Sequence, residues 1–462
     1  MKGGPPVLSY LCDLLEMFQA RGVSGVVVEW EDMMDWSGGL SVLARPGHYT
    51  RHMITQLLDT ADKLGLVIIP LIQTFGHMEF VLKHEEFKHL RDIAEYPNCV
   101  KPLCVDTEEG GVRRLLSEMI EQVVWCHPGV KMIHVGCDEV WTLGQSAEVR
   151  EHCEKTNLSI TDIFLQHMTQ VARMVRERVA GVEVLVWDDM MRTAPVDTML
   201  RYSVGQLVQP VIWNYGSVLE FPPGMLERYL SVWPESGLWA GTAWRGATGS
   251  DQCLTPAQHH VDNHLAWLHL ADDHVPGLAG FILTGWSRYD HYAALCELLP
   301  VSLPSLMCCL SVLSTGHWTP ADLTAVSSHL GLSEPLIMSP PAQSDTVQCP
   351  QYPGSTVYSW MMKYSRLSSL LHSIMTSSHR STWLNSWQLQ TGFINPLQTQ
   401  TLLRQLSLVH KDLGEVQTGL GSEISKYLHD FTAEEWIKTN ITSKMEEIEK
   451  ILTPAMRAFT PT

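Results

Sequence analysis

The chain has no run of Lys and Arg. Charged residues make up only 18% of its 462 positions, and the formal net charge is −18. Nucleic acid and anionic membrane surfaces both need clustered cations, so neither is expected as a partner. Cys-x-x-Cys is missing as well: the eleven cysteines are odd in number and scattered, with only Cys308 and Cys309 adjacent. That pattern argues against a zinc site and a disulfide framework. The longest apolar run, around Gly65–Ile72, is far too short for a membrane span. Residues 1–20 have neither the charged start nor the unbroken apolar centre of a signal peptide. No Gly-x-Gly-x-x-Gly follows the first strand-like run, which weakens a dinucleotide-binding reading, and no Gly-x-Ser-x-Gly marks a serine hydrolase. A metal-dependent hydrolase built on the 21 histidines is the other class to weigh. His84 and His89 have the wrong spacing for one helix face, and His260 with His264 lacks a third ligand. No metal and no cofactor are expected. These absences leave a protein of a reducing compartment acting on a neutral ligand.

What is present is a repeating unit. Short β-branched runs recur at Gly25–Val28, Leu66–Ile72, Met132–Val135, Val182–Val186, Val208–Ile212, Leu238–Ala243 and Gly280–Leu283. Segments with helical spacing, such as Tyr49–Leu64, Gly111–Val124 and Thr161–Val179, lie between them. Strands alternating with helices predict a parallel sheet, and about seven units in some 300 residues fit an α/β fold of the (β/α)8 TIM-type barrel. The first visible strand is preceded by Gly3–Pro6 and the helical pattern Leu8–Ala20, so the barrel is expected to lack its first strand in this chain. The expected organisation is a catalytic barrel over 1–300, a helical extension over 301–332, a linker or mobile loop over 333–356, and a mainly helical C-terminal region over 357–462. The Pro-, Ser- and Gln-rich stretch Glu334–Gly354 sets the linker.

Each run ends in a polar or aromatic payload. These are Glu29-Trp30-Glu31-Asp32, Gln73 to Glu79, Gly136-Cys137-Asp138-Glu139, Trp187-Asp188-Asp189, Trp213-Asn214-Tyr215, Trp244-Arg245-Gly246, and Trp286 to Asp290. Barrel enzymes place their chemistry at the carboxyl ends of strands, so these segments should converge on one mouth. Indole faces stack on the C–H faces of a pyranose while fixed polar groups take its hydroxyls, and a ring of Trp with carboxylates suits a sugar. A single Trp would as readily plug the barrel; four at equivalent strand ends are a set. The doublet Asp138-Glu139, taken alone, would read as a helix cap beside a solvated neighbour.

The wider pattern "HVGCDEV", with "QTFGHMEFVLKH", "LVWDDM" and "LTGWSRYDHY", resembles the family 20 glycoside hydrolases, the β-N-acetylhexosaminidases, over most of residues 1–300. The resemblance implies retaining exo-hydrolysis of terminal N-acetylhexosamine from glycoconjugates. The sugar's own acetamido oxygen would attack the anomeric carbon to give an oxazolinium intermediate, an exception to the two-carboxylate scheme. It implies Glu139 as general acid and later base, and Asp138 as the group that orients the acetamido N–H. His77, with Asp32 completing a relay, would support the acid, and His134 would brace the strand end. Trp187, Trp213 and Trp286 would wall the pocket, with Tyr215 on the acetamido carbonyl, and Asp188, Tyr289 and Asp290 on the sugar. Cys137 stands where the family has Gly. The match is nearest to the nucleocytoplasmic branch of the family, which implies a cytoplasmic and nuclear protein, a preference for GalNAc over GlcNAc, and room for a homodimer. The competing reading is a glycan-binding or scaffold protein, catalytically impaired because the first barrel strand is missing.

Overall fold

A computed structural model of the chain describes residues 2–106, 111–234, 237–275, 277–339 and 348–459. Seven parallel strands follow in sequence order as neighbours: β1 (Gly25–Glu29), β2 (Val67–Leu71), β3 (Met132–His134), β4 (Glu183–Trp187), β5 (Gln209–Trp213), β6 (Trp239–Ala243) and β7 (Gly280–Thr284). They form a nearly closed barrel-like sheet followed by a largely helical region. Each strand lies within a residue or two of its β-branched run.

Period-two alternation sorts the side chains. Ile69, Leu71, Leu185, Trp187, Val211 and Ile282 form one cluster inside the barrel, joined by Trp213 and Trp239. Val28, Ile68, Ile133, Val184, Val186, Ile212 and Ala240 belong to the larger core, which includes residues of the surrounding helices. Those helices bury one stripe each: Leu8–Gln19 buries Tyr10, Leu11, Leu14, Leu15 and Phe18, and Val112–Cys126 buries Val112, Leu115, Leu116, Met119, Ile120, Val123 and Cys126.

Among the described residues β1 and β7 do not pair with each other. The segment Lys2–Gly4 runs beside the end of β7 instead, where Ser287 N–H donates to Lys2 O at 3.1 Å. Glycine permits that approach. Gly3 has φ +89°, and a Cβ on it would lie 2.4 Å from Arg288 Cβ.

The helical region begins with Leu299–Thr315 and Pro320–His329 and continues with Ser355–Met375, the 32-residue helix Pro396–Tyr427, and Ser443–Phe459. Residues 340–347 of the expected linker lie outside the described residues. The region is fastened to the barrel. Pro6 and Leu428 form an antiparallel bridge, Arg288 grips Glu435 through two hydrogen bonds of 2.6 and 2.7 Å, and the Arg45 guanidinium sits 3.7 Å over Phe431. Among the described residues no helix is long and apolar enough to cross a membrane.

Candidate active site

The carboxyl ends of the strands open into a cavity of about 890 Å³, lined at its polar end by Lys2, Glu29, Gln73, His77, Asp138 and Glu139. Its aromatic wall includes Trp187, Trp213, Tyr215, Trp286 and Tyr289. The cavity continues along the open side between β1 and β7 toward Leu11, Leu14, Leu306 and Leu310.

Local backbone demands explain how Asp138 and Glu139 reach the mouth. After β3 the chain turns through left-handed geometry, with φ +67° at Gly136, +69° at Cys137 and +52° at Glu139. Left-handed φ strains a side-chain-bearing residue, so a glycine would adopt this position more easily than Cys137. Cys137 is held by burial and by a 3.2 Å contact with Thr74 Oγ1, which also donates to Val135 O at 2.7 Å. The preceding turn is packed onto this one: a Cβ on Gly76 would lie 2.0 Å from Asp138 O. Phe75 stacks on buried His167, whose Nε2 lies 2.9 Å from Thr74 O.

His77 joins the two carboxylates. Its Nε2 is 3.3 Å from Asp138 Oδ2 and 3.1 Å from Glu139 Oε2, and Lys2 Nζ lies 3.4 Å from its Nδ1. Burial and Lys2 push the imidazole down, but the two carboxylates outweigh them and raise it to about 10. Burial would raise Asp138, yet His77 and Lys2 hold its carboxyl below the usual aspartate range. Its second oxygen, Oδ1, is buried without a hydrogen-bond partner. His134 is fully buried; its Nδ1 accepts Gly136 N–H at 3.0 Å, its ring lies 4.3 Å from Trp187, and burial lowers it to about 3, so it is neutral and braces the strand end. Trp213 stacks on Tyr215 with centroids 5.2 Å apart, Tyr215 meets Trp286 at 5.4 Å, and Trp286 Nε1 is buried without a partner.

The remaining sequence-derived residues, Tyr289 apart, sit away from the cavity. Asp32 does not touch His77; its Oδ2 lies 3.9 Å from Arg45, Lys83 and His291 in a separate charged cluster that also contains Glu31. Asp188 is fully buried and saturated by Arg192, the Trp213 N–H and Tyr229, and it does not line the cavity. Asp290 accepts the N–H groups of Tyr292 and Ala293, so its carboxylate closes a turn. Tyr289 lines the cavity while its hydroxyl donates to Gly246 O at 2.7 Å. The pair His260 and His264 is internal: His264 Nε2 meets Thr242 Oγ1 at 2.9 Å and its Nδ1 meets His260 O.

Lys2, Glu29, Gln73 and Asp189 went unread as site residues. Gln73 Nε2 donates to Glu29 Oε1 at 3.0 Å, and the Gln73 Oε1 is buried and unpartnered. Asp189 accepts from Glu139 N–H at 2.9 Å and Trp213 Nε1–H at 3.2 Å. Strand alternation held the signal, because Leu185, Trp187 and Asp189 share one parity while Asp188 has the other.

Residues 16–215 match the model for glycosyl hydrolase family 20, catalytic domain. Hexosaminidase D of Homo sapiens is 36% identical over 459 residues, covering 98% of this chain and 92% of that protein. Hexosaminidase D of Bos taurus is 43% identical over 337 residues, covering 72% of this chain and 95% of its own length. Among solved structures, the family 20 β-N-acetylhexosaminidase from Streptomyces coelicolor A3(2) is 14% identical with a TM-score of 0.47, covering 70% of this chain and 67% of that one.

Proposed function

The chain belongs to glycosyl hydrolase family 20, and from that premise we propose that it removes terminal β-linked N-acetylhexosamine by substrate assistance, with GalNAc and GlcNAc both accepted and GalNAc preferred. The observation that carries the mechanism is the state of Asp138. One of its oxygens faces His77 while the other is buried at the cavity and lacks a donor. An acetamido N–H is such a donor, and a carboxylate held ionised by His77 and Lys2 stabilises the positive charge that grows on that nitrogen as oxazolinium forms. Glu139 shares His77 Nε2 with Asp138, so a proton lies one hydrogen bond from the acid. In this reading Glu139 protonates the leaving oxygen and later activates water. Trp187, Trp213 and Trp286 wall the ring and acetamido group, with Tyr215 between the last two. Glu29, Gln73 and Lys2 offer acceptors and donors for the hydroxyls.

A chromogenic aryl N-acetyl-β-hexosaminide tests the activity, and the ratio of kcat/KM for the galacto and gluco forms tests the preference. A thiazoline mimic of the intermediate should inhibit competitively, and D138N should weaken it. Isolation of a covalent sugar–enzyme ester would overturn substrate assistance. The open side between β1 and β7 favours a second reading, a barrel that binds glycan without cleaving it; turnover of the aryl substrate separates the two. We also propose a cytoplasmic and nuclear location, supported by eleven cysteines scattered through the sequence without paired spacing and tested by cell fractionation.

A further inference from the structure

We propose that Asp189 is a positioning residue that latches the loop of the acid Glu139 to the indole of Trp213. The proposal rests on the reading of Glu139 as the acid. Three consecutive strands meet at this one carboxylate. Asp189 follows β4 on the inward side above Trp187, its Oδ2 accepts the backbone N–H of Glu139 after β3 at 2.9 Å, and its Oδ1 accepts the indole N–H of Trp213 at the end of β5 at 3.2 Å.

The loop needs such a partner. Glu139 stands at φ +52°, two residues after Cys137 at +69°, and strained positions of this kind persist only where neighbours over-determine them. The N–H held by Asp189 is one bond from the Cα that carries the acid, so its release lets the peptide rotate and swing the carboxyl away from His77. The other end of the latch is fixed as well. The Trp213 ring stacks on Tyr215 and also meets the Arg192 guanidinium, whose Cζ is 4.7 Å from the ring centroid. The acetamido wall and the acid thus share one anchor. The neighbouring Asp188 does a different job: its oxygens take both Arg192 nitrogens and the backbone N–H of Trp213, fastening β4 to β5 beneath the mouth. Burial and the nearby Asp138 raise the Asp189 carboxyl to about 7, against the opposing pull of its two N–H donors, which favour the carboxylate.

The geometry makes Asn a poor substitute. Two donors converge on Asp189, and an amide offers one acceptor oxygen and one NH2, so D189N opposes a donor to a donor at one end. Removing the second donor relieves that clash. In W213F the indole N–H is gone while an aromatic wall remains, and in D189N/W213F the Asn oxygen can return to Glu139 N–H. On an aryl N-acetyl-β-hexosaminide, D189N should lose about 30- to 100-fold in kcat, as expected for a misplaced acid. W213F alone should lose less than about 5-fold, and the double variant should recover at least about 5-fold over D189N, a coupling between contacting groups. A carboxylate that merely stabilises the fold gives no such recovery. If D189N does not fold, the double variant should still melt with W213F, because its one remaining donor is satisfied. D189N within about 2-fold of wild type, a double variant no better than D189N, or a double variant that fails to fold overturns the latch. Turnover by the wild-type chain separates these results from failure of the functional reading itself.

Discussion

The barrel mouth and the helical region are built from the same chain under opposite rules. Around the mouth Glu31, His77, Cys137 and Glu139 all adopt positive φ, and buried carboxylates crowd beside His77, Lys2 and His291. After Leu299 every positive φ among the described residues belongs to glycine, and helices open with ordinary capping boxes such as Thr319 with Asp322, and Asn385 with Gln388. Strain of about 1–3 kcal/mol per position is tolerated where geometry must be imposed on reacting groups, and no side-chain-bearing residue described after Leu299 carries it.

Two glycines sharpen that comparison. Gly76 would set a Cβ 2.0 Å from Asp138 O, and Gly419 in the helix Pro396–Tyr427 would set one 2.3 Å from the Trp360 ring. One clash is with backbone and the other with a side-chain ring, and the consequences should differ. G76A should lower kcat/KM by at least about 100-fold, because it pushes the His77 turn off the acid loop. G419A should lower the melting temperature by about 2–6 °C through overpacking, with kcat/KM within about 2-fold of wild type. Equal activity losses in the two variants would erase the distinction between the regions.

A buried carboxyl near the mouth gives an intermediate effect. Glu297 is fully buried, its Oε2 accepts Gly246 N–H at 2.5 Å, and burial raises it from 4.5 to about 7. Because the folded state binds this proton more tightly than the unfolded state, the stabilisation is complete below about pH 4.5 and is lost as pH rises through about 7. The stability of wild type relative to E297Q should therefore fall by up to about 3 kcal/mol between pH 4.5 and 8. Parallel denaturation curves at every pH would contradict the shift. The smallest effect is expected at Asp290, whose carboxylate only closes its own turn. D290N should keep kcat/KM within about 3-fold, and a larger loss would bring Asp290 back toward the sugar.

Strands were the most legible part of the fold, because most of them are short apolar runs with both faces largely covered, as in β2 and β4. The cavity wall was legible too: Trp187 and Trp213 end their strands on the inward side, and Trp286 follows two residues after β7. Single-residue roles beyond the walls were less so. Asp188 and Asp189 are chemically identical in a row of letters, and only parity sends one to Arg192 and the other to Glu139. Resemblance pairs Asp32 with His77, yet its carboxylate faces Arg45, Lys83 and His291 instead. Lys2 reaches His77 from 75 positions away, a contact no local spacing reveals.

The central claim is that strain and charge at the mouth serve one acid, Glu139. The most direct test is the dependence of E139Q on the leaving group. Turnover of aryl N-acetyl-β-hexosaminides should fall by about 10²–10⁴-fold when the departing phenol is weakly acidic, and by much less when it is strongly acidic and needs no proton. An equal loss across the whole series of phenols would contradict Glu139 as the proton donor.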